Sequence, residues 1–321
     1  MVPVFPVLAR RLVPFGLHRL MRLAQFDRFM VFVMTVPFAT MLSPVTADPL
    51  PVGRTFMRSY TVREFRGHDQ VFAVAEDSAG IIYFSNRGAI IAFNGQRWRR
   101  ATVPTTWIHE LYVDTVDRVY VAGTDEFGWC QHDPVAGLTY HSLLDYLPPS
   151  QLPPGAIWSV TGEGRNVYFA TSEHVYRWDE TTLHDWSFEP CLRANVRHVA
   201  RRTLLYRKDD GLFELRRNQW QQIPAANGLM DASRLVMLDQ GEVGILLVTP
   251  DGTMPHLFRD NRLVIWTPPA AGPLRNAVVV SGTVLSDGAL AFSTAREAVV
   301  LLNPSGTTTE HYNAASGFDP P

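Results

Sequence analysis

The chain has 321 residues, 46% of them hydrophobic and 19% charged, an ordinary globular balance with enough apolar material for a large core. Its formal net charge of −2 argues against a nucleic-acid partner, because phosphate binding needs a basic face. Lys208 is the only lysine, and the arginines that carry the remaining positive charge are scattered rather than patched.

Residues 1–47 read differently from the rest. Arg10, Arg11, Arg19, Arg22 and Arg28 come before or at the start of an apolar run from Phe29 to Leu42, and the small residues of Val45-Thr46-Ala47 follow. That is the pattern of a secretory signal peptide, with cleavage expected after Ala47 and Met21 as a plausible start. The alternative is an uncleaved anchor, although the run falls short of the ~20 residues that span a bilayer. Cleavage places 48–321 in the periplasm with a net charge of −6. An oxidising compartment permits a disulfide, yet Cys130 and Cys191 fall in different repeats and read as separate thiols. No CxxC or Cys/His cluster is present, so neither a metal nor a cofactor is expected.

From Val71 onward the text repeats. Apolar segments at Val71–Ala75, Ile108–Val113, Ile157–Val160, Val196–Val199, Leu235–Leu238 and Val278–Val280 each lead, through a turn rich in Asp and Gly, into a second apolar strand. Those second strands centre on Tyr83, Tyr120, Tyr168, Leu205, Leu247 and Ala291, spaced 37 to 48 residues apart. A polar break and a third strand follow, and several units close on an aromatic, as at Trp98, Trp186, Trp220, Trp266 and Tyr312. A period of about 40 residues built of strands and turns predicts an all-β fold, a β-propeller of six visible blades. The runs are apolar rather than alternating because both faces of each blade are covered by its neighbours.

The first repeat carries a more specific likeness. Gln70, Asp77, Gly80, Tyr83, Phe84, Asn86, Gly88, Asn94, Gly95 and Trp98 follow the order of an opening blade in the two-component regulator propeller family, which the chain resembles over about residues 53–318. The resemblance implies the periplasmic sensor region of a hybrid two-component receptor, a seven-bladed ring, and ligands drawn from carbohydrate breakdown. Such receptors continue through further blades, a small β-sandwich, a membrane helix and a kinase or DNA-binding output. The tail around Phe318 resembles a junction into another blade, so 48–321 reads as a propeller sensor domain incomplete at its C-terminus. An incomplete ring leaves two blade faces open, and self-association through them is expected.

No GxSxG, phosphate loop or nucleotide fingerprint is present, and no catalytic residue is assigned. Binding is the stronger expectation. Trp107, Trp129 and Trp158 fall outside the repeating turn-x-x-Trp pattern and are candidates for a stacking platform. Arg87 follows a strand and could reach a carboxylate on an acidic sugar. Asp125 and Glu126 sit together in a loop after a strand, where paired carboxylates can bind a cation or do acid–base work, and they join the ligand-binding candidates. Two other readings stay open: a propeller scaffold for a protein partner, and a calcium-dependent lactonase-like hydrolase. The latter needs channel carboxylates from at least three blades, for which Glu76, Asp114 and Asp239 are available at strand ends.

Overall fold

The computed structural model describes residue 58 and residues 60–133, 137–229, 234–250, 255–267, 274, 278–295, 299–303 and 309–312. The signal-peptide reading of 1–47 lies outside the described residues. No described helix is long and apolar enough to cross a membrane.

Six four-stranded antiparallel sheets follow one another along the chain, each with its strands in sequential order. Blade 1 is β1 (Val74–Glu76), β2 (Ile82–Asn86), β3 (Ala89–Phe93) and β4 (Trp98–Thr102). Blade 2 is β5 (Ile108–Val113), β6 (Val119–Gly123), β7 (Phe127–Asp133) and β8 (Gly137–Ser142). Blade 3 is β9 (Ser159–Glu163), β10 (Asn166–Ala170), β11 (His174–Trp178) and β12 (Leu183–Ser187). Blade 4 is β13 (Ala194–Val199), β14 (Arg202–Arg207), β15 (Gly211–Arg216) and β16 (Gln219–Gln222). Blade 5 is β17 (Val236–Asp239), β18 (Ile245–Val248), β19 (His256–Arg259) and β20 (Arg262–Ile265). Blade 6 is β21 (Val279–Val284), β22 (Leu290–Thr294), β23 (Val299–Leu302) and β24 (Thr309–Tyr312). This is a six-bladed β-propeller, and the seventh blade implied by the resemblance has no strand among the described residues.

The turns explain why the chain reverses where it does. Asp77 accepts the N–H groups of Ala79 (3.0 Å) and Ile81 (2.8 Å), and Gly80 takes a φ of +78° that a side chain would resist. Asp114 does the same for Val116 and Arg118, Asp239 for Gly241, and Asp287 for Ala289. The first hairpin of four blades is therefore nucleated by one carboxylate.

Five apolar clusters fill the five interfaces between successive blades. Tyr83, Ile90 and Ala92 meet Ile108, Val119 and Val121 between blades 1 and 2. Tyr120 and Phe127 meet Phe169 and Tyr176 between blades 2 and 3. Tyr168 and Val175 meet Val196 and Leu205 next, then Leu204 and Tyr206 meet Leu247 and Phe258. Leu246 and Val248 meet Leu290 and Phe292 between blades 5 and 6.

Side chains also tie the innermost strands together where no backbone ladder joins two blades. The N–H of Val160 donates to Glu110 Oε2 (3.1 Å), that of Val196 to Ser159 Oγ (2.7 Å), and that of His198 to Thr161 Oγ1 (3.0 Å). Each acceptor comes from the preceding blade and satisfies an edge donor that burial would otherwise make costly.

Blade 1 has a further partner. The short helix α1 (Val62–Phe65) and Tyr60 lie against the face of blade 1 that points away from blade 2. Trp98 stacks on Phe93 at 4.1 Å between centroids, and Tyr60 and Phe65 close over Trp98 at 5.2 and 5.8 Å. The chain thus covers part of a blade face that the sequence alone leaves open. Cys130 is buried, Cys191 is half-buried, and both are free thiols.

Candidate functional site

In each blade the start of the innermost strand and the turn between the second and third strands lie at the same end. The N–H of Thr124 donates to the Trp107 carbonyl (2.9 Å), and the N–H of Lys208 donates to the Arg193 carbonyl (2.9 Å). Trp107, Trp158 and Arg193 hold one equivalent place, immediately before β5, β9 and β13. The repeat therefore delivers them to the same mouth of the central channel.

There the aromatic and cationic side chains pair. The Arg87 guanidinium carbon lies 5.4 Å from the centroid of Trp107, whose other neighbour is Phe72 at 5.6 Å. Arg193 lies 4.7 Å over Trp158, and His109 approaches the same indole at 5.0 Å. Such cation–π contacts hold a guanidinium in place without neutralising it. A bulge between Ile108 and Glu110 puts an extra residue, His109, into β5 and lets its Nε2 meet Thr124 Oγ1 at 2.9 Å. Burial first, then the nearby Arg193 charge, lowers the His109 pKa, which keeps the imidazole neutral at neutral pH.

Further into the channel sits a second group. Glu110 is buried and receives both the Val160 N–H and the Arg197 guanidinium. Arg234 lies near enough to Glu110 and Arg197 to feel both charges. Asn195, Arg197 and Arg234 line a recess of about 40 Å³ that reaches Ser281 and Gly282 of blade 6. That volume takes a few water-sized groups, well below the several hundred Å³ of a pocket that encloses a whole drug-sized ligand. Burial, followed by the Arg234 charge, pushes Arg193 down to about 10, so it still carries its proton at neutral pH. Arg234 is also lowered, with burial again the leading cause. Among the described residues neither Arg193 nor Arg234 has a carboxylate within ion-pair distance, so Glu110 alone answers three arginines.

The residues singled out from the sequence separate into two groups. Arg87, Trp107 and Trp158 come to the channel mouth, and both indoles are half-buried rather than exposed platforms. Asp125 is exposed at the same end, where its carboxylate accepts the Gly155 N–H at 3.0 Å and so closes a loop. Glu126 does not join them. It is buried, and its Oε1 accepts from the Phe127 N–H (3.0 Å), Tyr140 (3.0 Å) and Ser142 (2.7 Å), which makes it an internal brace of blade 2. Trp129 does not join them either. It stacks on His141 at 4.2 Å and packs at the interface of blades 2 and 3, because an outward position on β7 points between blades.

Of the carboxylates offered for a calcium site, Asp114 and Asp239 cap the first hairpins of their blades, at the opposite end from Trp107 and Trp158. Glu76 ends β1 at that same opposite end. The described residues contain no group of three or more His, Cys, Asp or Glu side chains placed to hold a metal. Glu110, Arg193, Asn195, Arg197 and Arg234 were not legible as a site, because one arginine among many carries no local signal. The available clue was positional: the residue just before each innermost strand.

No protein-family model matches the chain. No curated protein matches it either. Solved structures do. Virginiamycin B lyase from Staphylococcus aureus matches with a TM-score of 0.59 at 11% identity, over 78% of this chain and 86% of that one. The extracellular domain of the hybrid two component system BT3049 from B. thetaiotaomicron matches with a TM-score of 0.58 at 14% identity. That alignment covers 80% of this chain but 36% of the longer protein. The WD40 propeller domain of Doa1 matches with a TM-score of 0.56 at 12% identity, over 77% and 84% of the two chains. Such identities carry the architecture and leave activity open: this chain is a β-propeller.

Proposed function

We propose that this protein is an extracytoplasmic ligand-sensing β-propeller, the input part of a two-component signalling receptor. The observation that carries the reading is the channel mouth, where Trp107, Trp158, Arg87 and Arg193 converge from separate blades on one opening. Indoles pinned at their faces by guanidinium groups offer apolar edges beside charge, a combination suited to a polar small molecule with a carbon skeleton. The secretory pattern of residues 1–47 and the fold shared with extracellular receptor domains support the location. Recognition at the mouth draws several blades onto one ligand, which gives a route for coupling to a neighbouring domain.

The test is a thermal-shift screen of the full chain against neutral and acidic sugars and small organic acids. A ligand at about 100 times its Kd stabilises the fold by about 2.7 kcal/mol, a rise of about 5–10 °C for a domain of this size. The expected result is at least one such shift that disappears in Trp158→Ala. A shift of equal size in that variant, or none across the panel, overturns the assignment of the mouth as the ligand site.

A further inference from the structure

Three features of the recess below the mouth go unused by the fold. The first is charge. Arg197 and Arg234 line it, Arg193 acts on Arg234 from outside the lining, and Glu110 alone opposes them. Two positive charges are left over in a partly desolvated place, where they favour an anion more strongly than surface arginines do. The second is an orphan. Asn195 is only 4% exposed, and its Oδ1 has no hydrogen-bond donor. A buried acceptor left unmet costs stability, and nearly all such atoms in folded proteins are satisfied. The third is local distortion. β21 bulges between Val279 and Ser281, at the wall of the recess opposite Asn195. Gly282 follows, where a Cβ would meet Phe292 Cδ1 at 2.9 Å. Ser281 stands at this bulge, its hydroxyl 3.3 Å from Ser293 Oγ.

We infer that this recess binds a small dianion that itself carries a hydroxyl proton, the chemistry shared by hydroxydicarboxylates and hydrogen phosphate. Arg234 and Arg197 take the anionic oxygens. Asn195 Oδ1 accepts the ligand's hydroxyl, and that bond selects against an otherwise equal dianion lacking a donor. Ser281 lies on the opposite wall, where its hydroxyl is shared with Ser293 Oγ. At about 40 Å³ the recess takes one compact anionic group with its hydroxyl and excludes an oligosaccharide. The inference rests on the channel as the ligand site and names the ligand class it takes.

Two matched pairs test it by calorimetric titration of the full chain at pH 7.5: malate against succinate, and inorganic phosphate against sulfate. Within each pair the charge is similar and the hydroxyl proton is the difference. In at least one pair the hydroxyl-bearing member is expected to bind at least tenfold more tightly. Asn195→Ala should erase that preference, and Arg234→Gln should weaken both members at least tenfold. Malate identifies an organic acid as the source, and phosphate an inorganic or esterified one. Equal affinity within both pairs in the unmodified protein overturns the inference whether or not any variant folds. So does a preference that survives Asn195→Ala. Binding of a neutral sugar, lost in Trp158→Ala and untouched by Arg234→Gln, overturns the anion site while sustaining the sensor reading.

Discussion

Glu110 of blade 2 grips Arg197 of blade 4, 87 residues away in sequence, while its other oxygen accepts the Val160 N–H of blade 3. One carboxylate therefore clasps three consecutive blades at the channel wall. Breaking a buried pair on one side strands a charge, which costs about 3 kcal/mol or more. Glu110→Ala is expected to lower the melting temperature by about 6–12 °C. Glu110→Gln retains an acceptor for Val160 and should lose less. The neutral variant also releases Arg197, so the affinity of any anion in the recess should rise. A melting temperature unchanged in Glu110→Ala would show that the blades do not depend on the clasp.

The packing of Trp98 against Phe93, Tyr60 and Phe65 makes a second prediction. Tyr60 and α1 reach the rest of the propeller through this aromatic cluster and through Gly67, which lies close against Ile91. Removing a partly buried indole costs about 2–3 kcal/mol, less than a fully buried one. Trp98→Ala should therefore free the segment before it unfolds the blades. Trypsin is expected to cut after Arg63 or Arg66 faster in the variant than in the unmodified chain, with later fragments appearing at similar rates. Equal cutting would mean that the segment is held by something other than Trp98.

The blades were legible because their punctuation is local. Asp77, Asp114, Asp239 and Asp287 announce hairpins by a side chain that bonds its own turn, and all four are visible within a few residues of sequence. Facing was less legible. Tyr83, Tyr120 and Tyr168 each point toward the following blade, whereas Leu205 and Leu247, aligned with them by spacing, point toward the preceding one. Leu204-Leu205 and Ile245–Val248 are apolar throughout, so they carry no alternation from which to read a face, and a slip of one residue reverses every side chain. The site was legible only in part for a related reason. Trp107 and Trp158 stood out as aromatics outside the repeat, while Arg193 in the equivalent place of blade 4 looked like any other arginine. Its role comes from a convergence of blades that no local window contains.

Glu126 and Glu214 move in opposite directions with pH. Burial raises the Glu126 carboxyl above its ordinary value of 4.5, outweighing the hydrogen bonds from Ser142, Tyr140 and Phe127. Glu214 is lowered, because Arg202 and Arg216 outweigh its own burial. A raised carboxyl stabilises the fold fully below the unfolded value and loses that contribution as pH rises through the folded one. A depressed carboxyl contributes above the unfolded value and loses it as pH falls through the folded one. All three bonds to Glu126 end on Oε1, an oxygen that glutamine keeps. Glu126→Gln is therefore expected to melt higher than the unmodified protein at pH 7 and no higher at pH 4. Glu214→Gln should show the reverse, with a deficit at pH 7 that shrinks toward pH 3. Melting curves across that range check both signs, and a difference independent of pH in either variant contradicts the assignment.

Arg207 is 1% exposed, the most deeply buried charge among the described residues. Its Nε donates to Asp210 (2.8 Å), its Nη1 to the Ser172 carbonyl (3.3 Å) and its Nη2 to the Glu189 carbonyl, while the guanidinium carbon lies 4.5 Å over Phe188. The fork thus pins blade 4 to two carbonyls of blade 3 and the loop that follows it. A lysine has one nitrogen and cannot serve acceptors spread around a planar group. Arg207→Lys is expected to cost about 2–3 kcal/mol, or about 4–12 °C in melting temperature. Methionine leaves the carbonyls unmet but fills the volume and carries no charge to desolvate, so Arg207→Met should lose less than Arg207→Ala, which also opens a cavity beside Phe188. The order of melting temperatures decides what the arginine contributes. If methionine and alanine fall equally, the guanidinium's hydrogen bonds dominate. If methionine matches the unmodified protein, Arg207 holds the blades by packing alone.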